Sequence, residues 1–184
     1  MKKWLFSLLL FPSLVWAERF STELRVGYFY PTSHEVREIY RNGGVEFEAE
    51  AAVRLVCDLN LWANFNYFQR HGHSRGAHDD TSIRIYPLSA GLKYNFPLFC
   101  NFYFYLGAGA SYTWAKIHDH APNLQSHFSK QGWGGVGKAG FLYCFCSCIF
   151  LDVFADYYYT KISHGSCKVN IGGLRTGAGL GVRF

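Results

Sequence analysis

Eight histidines and six cysteines are the residues of this chain best suited to chemistry. The histidines are bunched: His34 stands alone, then come His71, His73 and His78, then His118, His120 and His127, and last His164. Imidazole is a common metal ligand, and His71-x-His73 and His118-x-His120 would each present two ring nitrogens to an ion. Neither spacing matches a structural zinc pattern, and wet loops tolerate histidine without giving it a task. Catalysis on lipids would need a Ser or His held against a carboxylate. Ser126-His127, Ser163-His164 and His78-Asp79 supply fragments of such a site, but no spacing gathers them. No catalytic, cofactor-binding or metal-ligating residue is therefore assigned, and the chain is expected not to be an enzyme.

The cysteines divide differently. Cys57, Cys100, Cys144, Cys146 and Cys148 fall where the chain turns tightly, and Cys167 falls in a longer polar segment. Cys144-x-Cys146-x-Cys148 resembles a metal or redox motif in spacing, but alternating positions make a mutual bridge strained. In an oxidising compartment such thiols would instead cross-link turns to one another or to periplasmic partners.

These residues need elements to hold them, and the composition points to β-structure. The chain has 184 residues, of which 49% are hydrophobic; it carries 17 Phe, 13 Tyr, 5 Trp and 19 Gly, and mean hydropathy is −0.03. Apolar residues are thus abundant but diluted, as in alternating strands. Met1-Lys2-Lys3, the apolar run Trp4 to Trp16 and the small-residue end Val15-Trp16-Ala17 read as a secretory signal peptide over residues 1–17. Residues 18–184 form one domain. Removing Lys2 and Lys3 lowers the formal charge from +5 to +3, too little and too dispersed to indicate nucleic acid.

A period of two recurs eight times, over residues 20–30, 45–56, 59–68, 83–96, 102–115, 133–145, 149–159 and 169–184. Pro87 suggests a bulge or phase shift in the fourth run. Tight turns alternate with long polar loops at 31–44, 69–82, 116–132 and 160–168, and all eight histidines are expected in those loops. One face collects large apolar groups. The other collects glycines with Glu23, Glu46, Glu48, Glu50, Asp152 and Asp156, and with Arg25, Arg54, Lys93, Lys138, Arg175 and Arg183. A soluble eight-stranded barrel would have to fit the bulky face inside a lumen with room only for modest side chains. An eight-stranded antiparallel up-and-down transmembrane β-barrel, rings outward and paired charges inward, fits better. Tyr28, Tyr30, Tyr67, Tyr112, Trp114, Trp133, Tyr157 and Tyr159 would then form one interfacial girdle. Tyr94, Phe102, Phe141 and Phe184 would form the other.

The export signal, the back-to-back strands "YPLSAGLKYNF" and "FYFYLGAGASYTW", and the terminal "GLGVRF" resemble the small eight-stranded bacterial outer-membrane β-barrel proteins of the OmpW/OmpX/OmpA type. The resemblance implies a bacterial outer-membrane location and contact with outer-membrane lipids. It also implies that Leu180, Val182 and Phe184 form the C-terminal signal read by the outer-membrane assembly machinery. The expected role is envelope-structural, or the binding of small ligands or surfaces. A narrow channel for small solutes and an outer-membrane lipid-modifying enzyme are the alternatives.

Overall fold

The computed structural model describes residues 20–33, 37, 43–73, 80–119, 127–164 and 167–184. Nine strands follow in chain order: β1 Phe20–Pro31, β2 Gly44–Val56, β3 Leu59–His73, β4 Asp80–Phe99, β5 Phe102–Asp119, β6 His127–Cys144, β7 Ile149–His164, β8 Cys167–Asn170 and β9 Gly173–Arg183. All pairings are antiparallel, and β1 to β7 pair in sequence. β9 pairs with both β7 and β1, with Leu180 opposite Leu151 on one side and Leu24 on the other, so eight strands close into a barrel. Closure leaves the wall no free edge. Phe184 completes the seam: its N–H donates to the Phe20 carbonyl at 2.8 Å, and the two rings stack at 6.4 Å.

Three expectations need correction. The run 169–184 is not one strand. β8 pairs only with β7, from Lys161↔Asn170 to His164↔Cys167, and the chain breaks at Ile171-Gly172 before β9 joins the wall. Pro87 causes no register shift: it pairs in line with Thr113, but the β3–β4 ladder skips it and Tyr86, and the register shifts lie at Arg54/Val56 and Pro97/Phe99. The ladders also run well past the expected ends. β4 has 20 residues and β5 and β6 have 18 each, against 12 in β1 and 11 in β9. Consequently His71 and His73 lie on β3, His118 on β5, His127 on β6 and His164 on β7. A hairpin ladder, once in register, continues through polar residues because each step still adds backbone hydrogen bonds. Polarity alone therefore misplaced these histidines in loops.

Alternation sorts the side chains as its period requires. Leu24, Val26, Phe47, Leu61, Phe65, Leu88, Leu106, Val153 and Leu180 are exposed on the outer surface, while ten charged side chains are buried inside. Large rings also stand inside: Trp62, Tyr105, Phe29, Phe68, Phe150, Phe154 and Tyr158. That departs from the expectation that only modest groups fit. The space comes from glycine on facing strands. A Cβ on Gly109 would stand 2.8 Å from Trp62 Cζ2, and one on Gly140 would stand 2.6 Å from the Tyr105 hydroxyl. These two rings thus occupy volume that a glycine gives up, which keeps the lumen close-packed.

Candidate functional site

The buried polar interior is the most organised site among the described residues. Its centre is Arg25, placed by β1 directly opposite Glu48 on β2 and Gly179 on β9. The guanidinium reaches five carboxylates. Nη2 lies 2.6 Å from both Glu23 and Asp152; Nη1 lies 3.2 Å from Glu48 and 3.4 Å from both Glu50 and Asp156. Six buried acids share four buried bases, and each base contacts more than one acid.

Lys138 does so from β6, contacting Glu50 closely, Glu48 at 3.1 Å and Asp156 at 3.3 Å. Lys93 on β4 lies 2.6 Å from Glu50 and 3.7 Å from Glu23. Arg175 on β9 lies 2.7 Å from Glu46 and 3.7 Å from Glu48. The register explains the clustering: Lys138, Asp156 and Arg175 are successive partners across β6, β7 and β9. Of the twelve charged residues expected on this face, Arg54 and Arg183 are only half-buried; they line a small cavity at the short-turn end with Asn60, Lys93 and Asn95.

Neutral side chains complete the network. Tyr105 accepts from Arg25 Nη2 and donates to Asp152, both at 3.3 Å. Asn64 donates to Glu48 at 2.7 Å. Cations also lie over ring faces, Arg175 at 3.5 Å from the Tyr158 centroid and Lys138 at 4.6 Å from Trp62. In a low-dielectric interior such contacts fix geometry, because an unpaired charge there is very costly. The signal for these rings was their shared parity with the acids: Tyr105, Tyr158 and Trp62 all sit on polar-face positions. The expectation of a lumen too narrow for rings hid it.

The arrangement fills the lumen. Interior cavities measure about 20 Å³ at the short-turn end and about 10 Å³ at the middle and at the loop end. Each is about the size that admits one water. The larger depression, about 540 Å³, lies on the outer wall, floored by Ala49, Ala51 and Ala63 and flanked by Leu24, Phe65, Leu88 and Leu180.

The other candidates lie at the two ends. Register places His118 opposite His127 and His73 opposite Asp80, but the side chains of these residues, of His71 and of His164 lie outside the described ones. His34, His78, Asp79, His120 and Ser126 are outside the described residues altogether. Among the described residues no group of three His, Cys, Asp or Glu is placed to hold a metal ion. Cys57, Cys100, Cys146 and Cys148 are exposed thiols at the short-turn end, and Cys144 is half-buried against Leu142 and Phe150. None of these five is in a disulfide.

The architecture is that of small eight-stranded outer-membrane barrels. Neisserial surface protein A superposes with a TM-score of 0.69 at 19% identity, over 90% of this chain and 97% of that one. The outer membrane protein OprG from Pseudomonas aeruginosa gives 0.69 at 17% identity, over 91% and 96%. The Escherichia coli outer membrane protein W gives 0.56 at 16% identity, over 91% and 98%. No protein-family model and no curated protein matches the sequence.

Proposed function

From a fold shared with outer-membrane barrels, we propose that this chain is a non-enzymatic integral protein of the bacterial outer membrane with an envelope-structural role. One observation carries the reading: the barrel is inside out relative to a soluble protein. Its exposed wall is apolar, and ten ionisable side chains are sealed within. Transfer of that wall to water would be unfavourable at roughly 25 cal/mol per Å² of apolar surface, whereas hydrocarbon accepts it. Closure leaves no strand edge in the wall, so its backbone groups pair between strands as a water-free layer demands. Strands of about 9–11 residues suffice to cross that layer. The surplus length of β3 to β7 then stands in water at the long-loop end.

Exposed rings gather near both ends. Tyr28, Tyr30, Trp133, Tyr157 and Tyr159 lie toward the loops, and Phe99, Phe141, Tyr143, Phe145 and Phe184 toward the short turns. Two such girdles match the two interfaces. In this reading residues 1–17 direct export and are removed, outer-membrane lipids cover the wall, and the strand ending in Phe184 is the address for the assembly machinery. The filled lumen supports a scaffold over a solute channel. A role for the loops in binding ligands or surfaces rests on their polarity and length.

Fractionation tests the assignment. Produced in a bacterium with two membranes, the chain is expected in the dense outer-membrane fraction. There it should resist alkaline and urea washes and migrate faster unboiled than boiled. Recovery in the soluble periplasm would refute it.

A further inference from the structure

The short-turn rim has a chemistry that the barrel itself does not use. Cys57 turns β2 into β3 with φ at 50°, Cys100 turns β4 into β5, and Cys146 and Cys148 lie in the turn from β6 to β7. All four are exposed and unbridged. Their neighbours Val56, Phe99 and Phe145 are exposed at 68%, 71% and 57%. The rim is therefore apolar and thiol-bearing, where an ordinary turn would be polar.

The turns are also fixed. The Phe145 N–H donates to Ile149 O at 3.0 Å, Arg183 N–H to Cys148 O at 2.7 Å, and Asn95 N–H to Asp58 O at 3.0 Å. The first two hold the β6–β7 turn and the third the β2–β3 turn, while Cys144 N–H donating to Asn101 O at 2.9 Å ties the β4–β5 turn to β6. Because these turns join β2 to β3, β4 to β5 and β6 to β7, they occupy separate sectors of the circumference. Cys146 and Cys148 are two residues apart on one pinned turn, where a mutual bridge is strained. The thiols are thus arranged to be reached from outside the barrel.

We propose that these thiols join neighbouring copies of this chain through intermolecular disulfides in the periplasmic plane. The inference rests on the outer-membrane reading above. A second copy is the partner the geometry favours. Copies inserted in one orientation carry the same thiols at the same depth, and the girdles hold that depth constant. Three turns in three sectors give each copy more than one point of attachment, so the product is a network and not only a dimer. Each link forms when one thiol from each copy gives up its hydrogen. The new S–S bond takes both sulfurs, and two protons and two electrons pass to the disulfide of a periplasmic thiol oxidase, which becomes a dithiol.

The test uses the full chain in a two-membrane bacterium. Thiols are trapped with N-ethylmaleimide, the outer-membrane fraction is isolated, and electrophoresis is run without reductant. Expected are dimers and higher species containing this chain alone by mass spectrometry, collapsing to monomer on reduction. They should disappear from cells lacking the thiol oxidase. The quadruple variant Cys57→Ser, Cys100→Ser, Cys146→Ser, Cys148→Ser should lose every species above monomer, and Cys144→Ser should lose none. Faster unboiled migration of the quadruple variant shows that its barrel still folds. Monomer alone in the outer-membrane fraction, a ladder containing another polypeptide, or a ladder persisting in the quadruple variant would each overturn the proposal. A chain missing from that fraction overturns the localisation, and the proposal with it.

Discussion

Arg25 on β1 and Asp152 on β7 meet at 2.6 Å across a strand that separates them. The strand between is β9, and the residue in line with both is Gly179. The central ion pair of the lumen therefore passes over a position with no side chain. A Cβ there would stand 2.6 Å from Arg25 Cγ.

Gly179→Ala should accordingly displace Arg25 and lower stability by about 1–3 kcal/mol, the usual cost of overpacking. Gly137 is the control, since a Cβ there would meet nothing within 4 Å. Gly137→Ala should leave stability unchanged or slightly raised, because alanine narrows the unfolded ensemble. Urea unfolding in lipid vesicles, followed by tryptophan fluorescence, measures both.

Arg25→Ala removes one partner from five buried carboxylates at once. Breaking a buried pair costs about 3–5 kcal/mol, because the remaining charges are left uncompensated. Adding Asp152→Asn should restore part of that loss. Arg54→Ala, at a half-buried position near the short-turn end, should change stability by no more than about 0.5 kcal/mol. The same unfolding assay separates these outcomes, and equal effects at Arg25 and Arg54 would show that the network contributes nothing specific.

Interior cavities at the two ends and in the middle of the lumen, about 10–20 Å³ each, hold little more than one water apiece. Planar bilayers containing the refolded protein should therefore show no stepwise conductance above baseline. Reproducible openings would mean that the ion pairs rearrange into a pore.

The wall was legible in the sequence because its code is simple. Period-two runs such as VEFEAEAAV give β2 almost residue by residue, and the acids Glu46, Glu48 and Glu50 on one parity name the lumen face at once. The lumen's packing was less legible. Trp62 and Tyr105 stand inside because Gly109 and Gly140, on other strands, leave them room, and that complementarity exists only once the strands pair in register. Strand ends were hidden for a different reason. Beyond the apolar layer, pairing such as His118↔His127 is maintained by backbone hydrogen bonds that any residue supplies. The split between β8 and β9 combines Ile171 N–H donating to Thr160 O at 3.0 Å, a tertiary contact, with Gly172 N–H donating to Asn170 Oδ1 at 3.0 Å, a local turn that the period of two does not register.

The central claim is that outward side chains face hydrocarbon, and collision accessibility along β9 tests it most directly. In a background with the native cysteines replaced by serine, a nitroxide is placed in turn at Leu174, Thr176, Ala178, Leu180 and Val182, and the protein is refolded into lipid vesicles. The account predicts that dissolved oxygen relaxes every label more than a water-soluble nickel chelate does, with the contrast greatest near Ala178 and Leu180. Nickel dominating at the middle of the strand would put that face in water and contradict it.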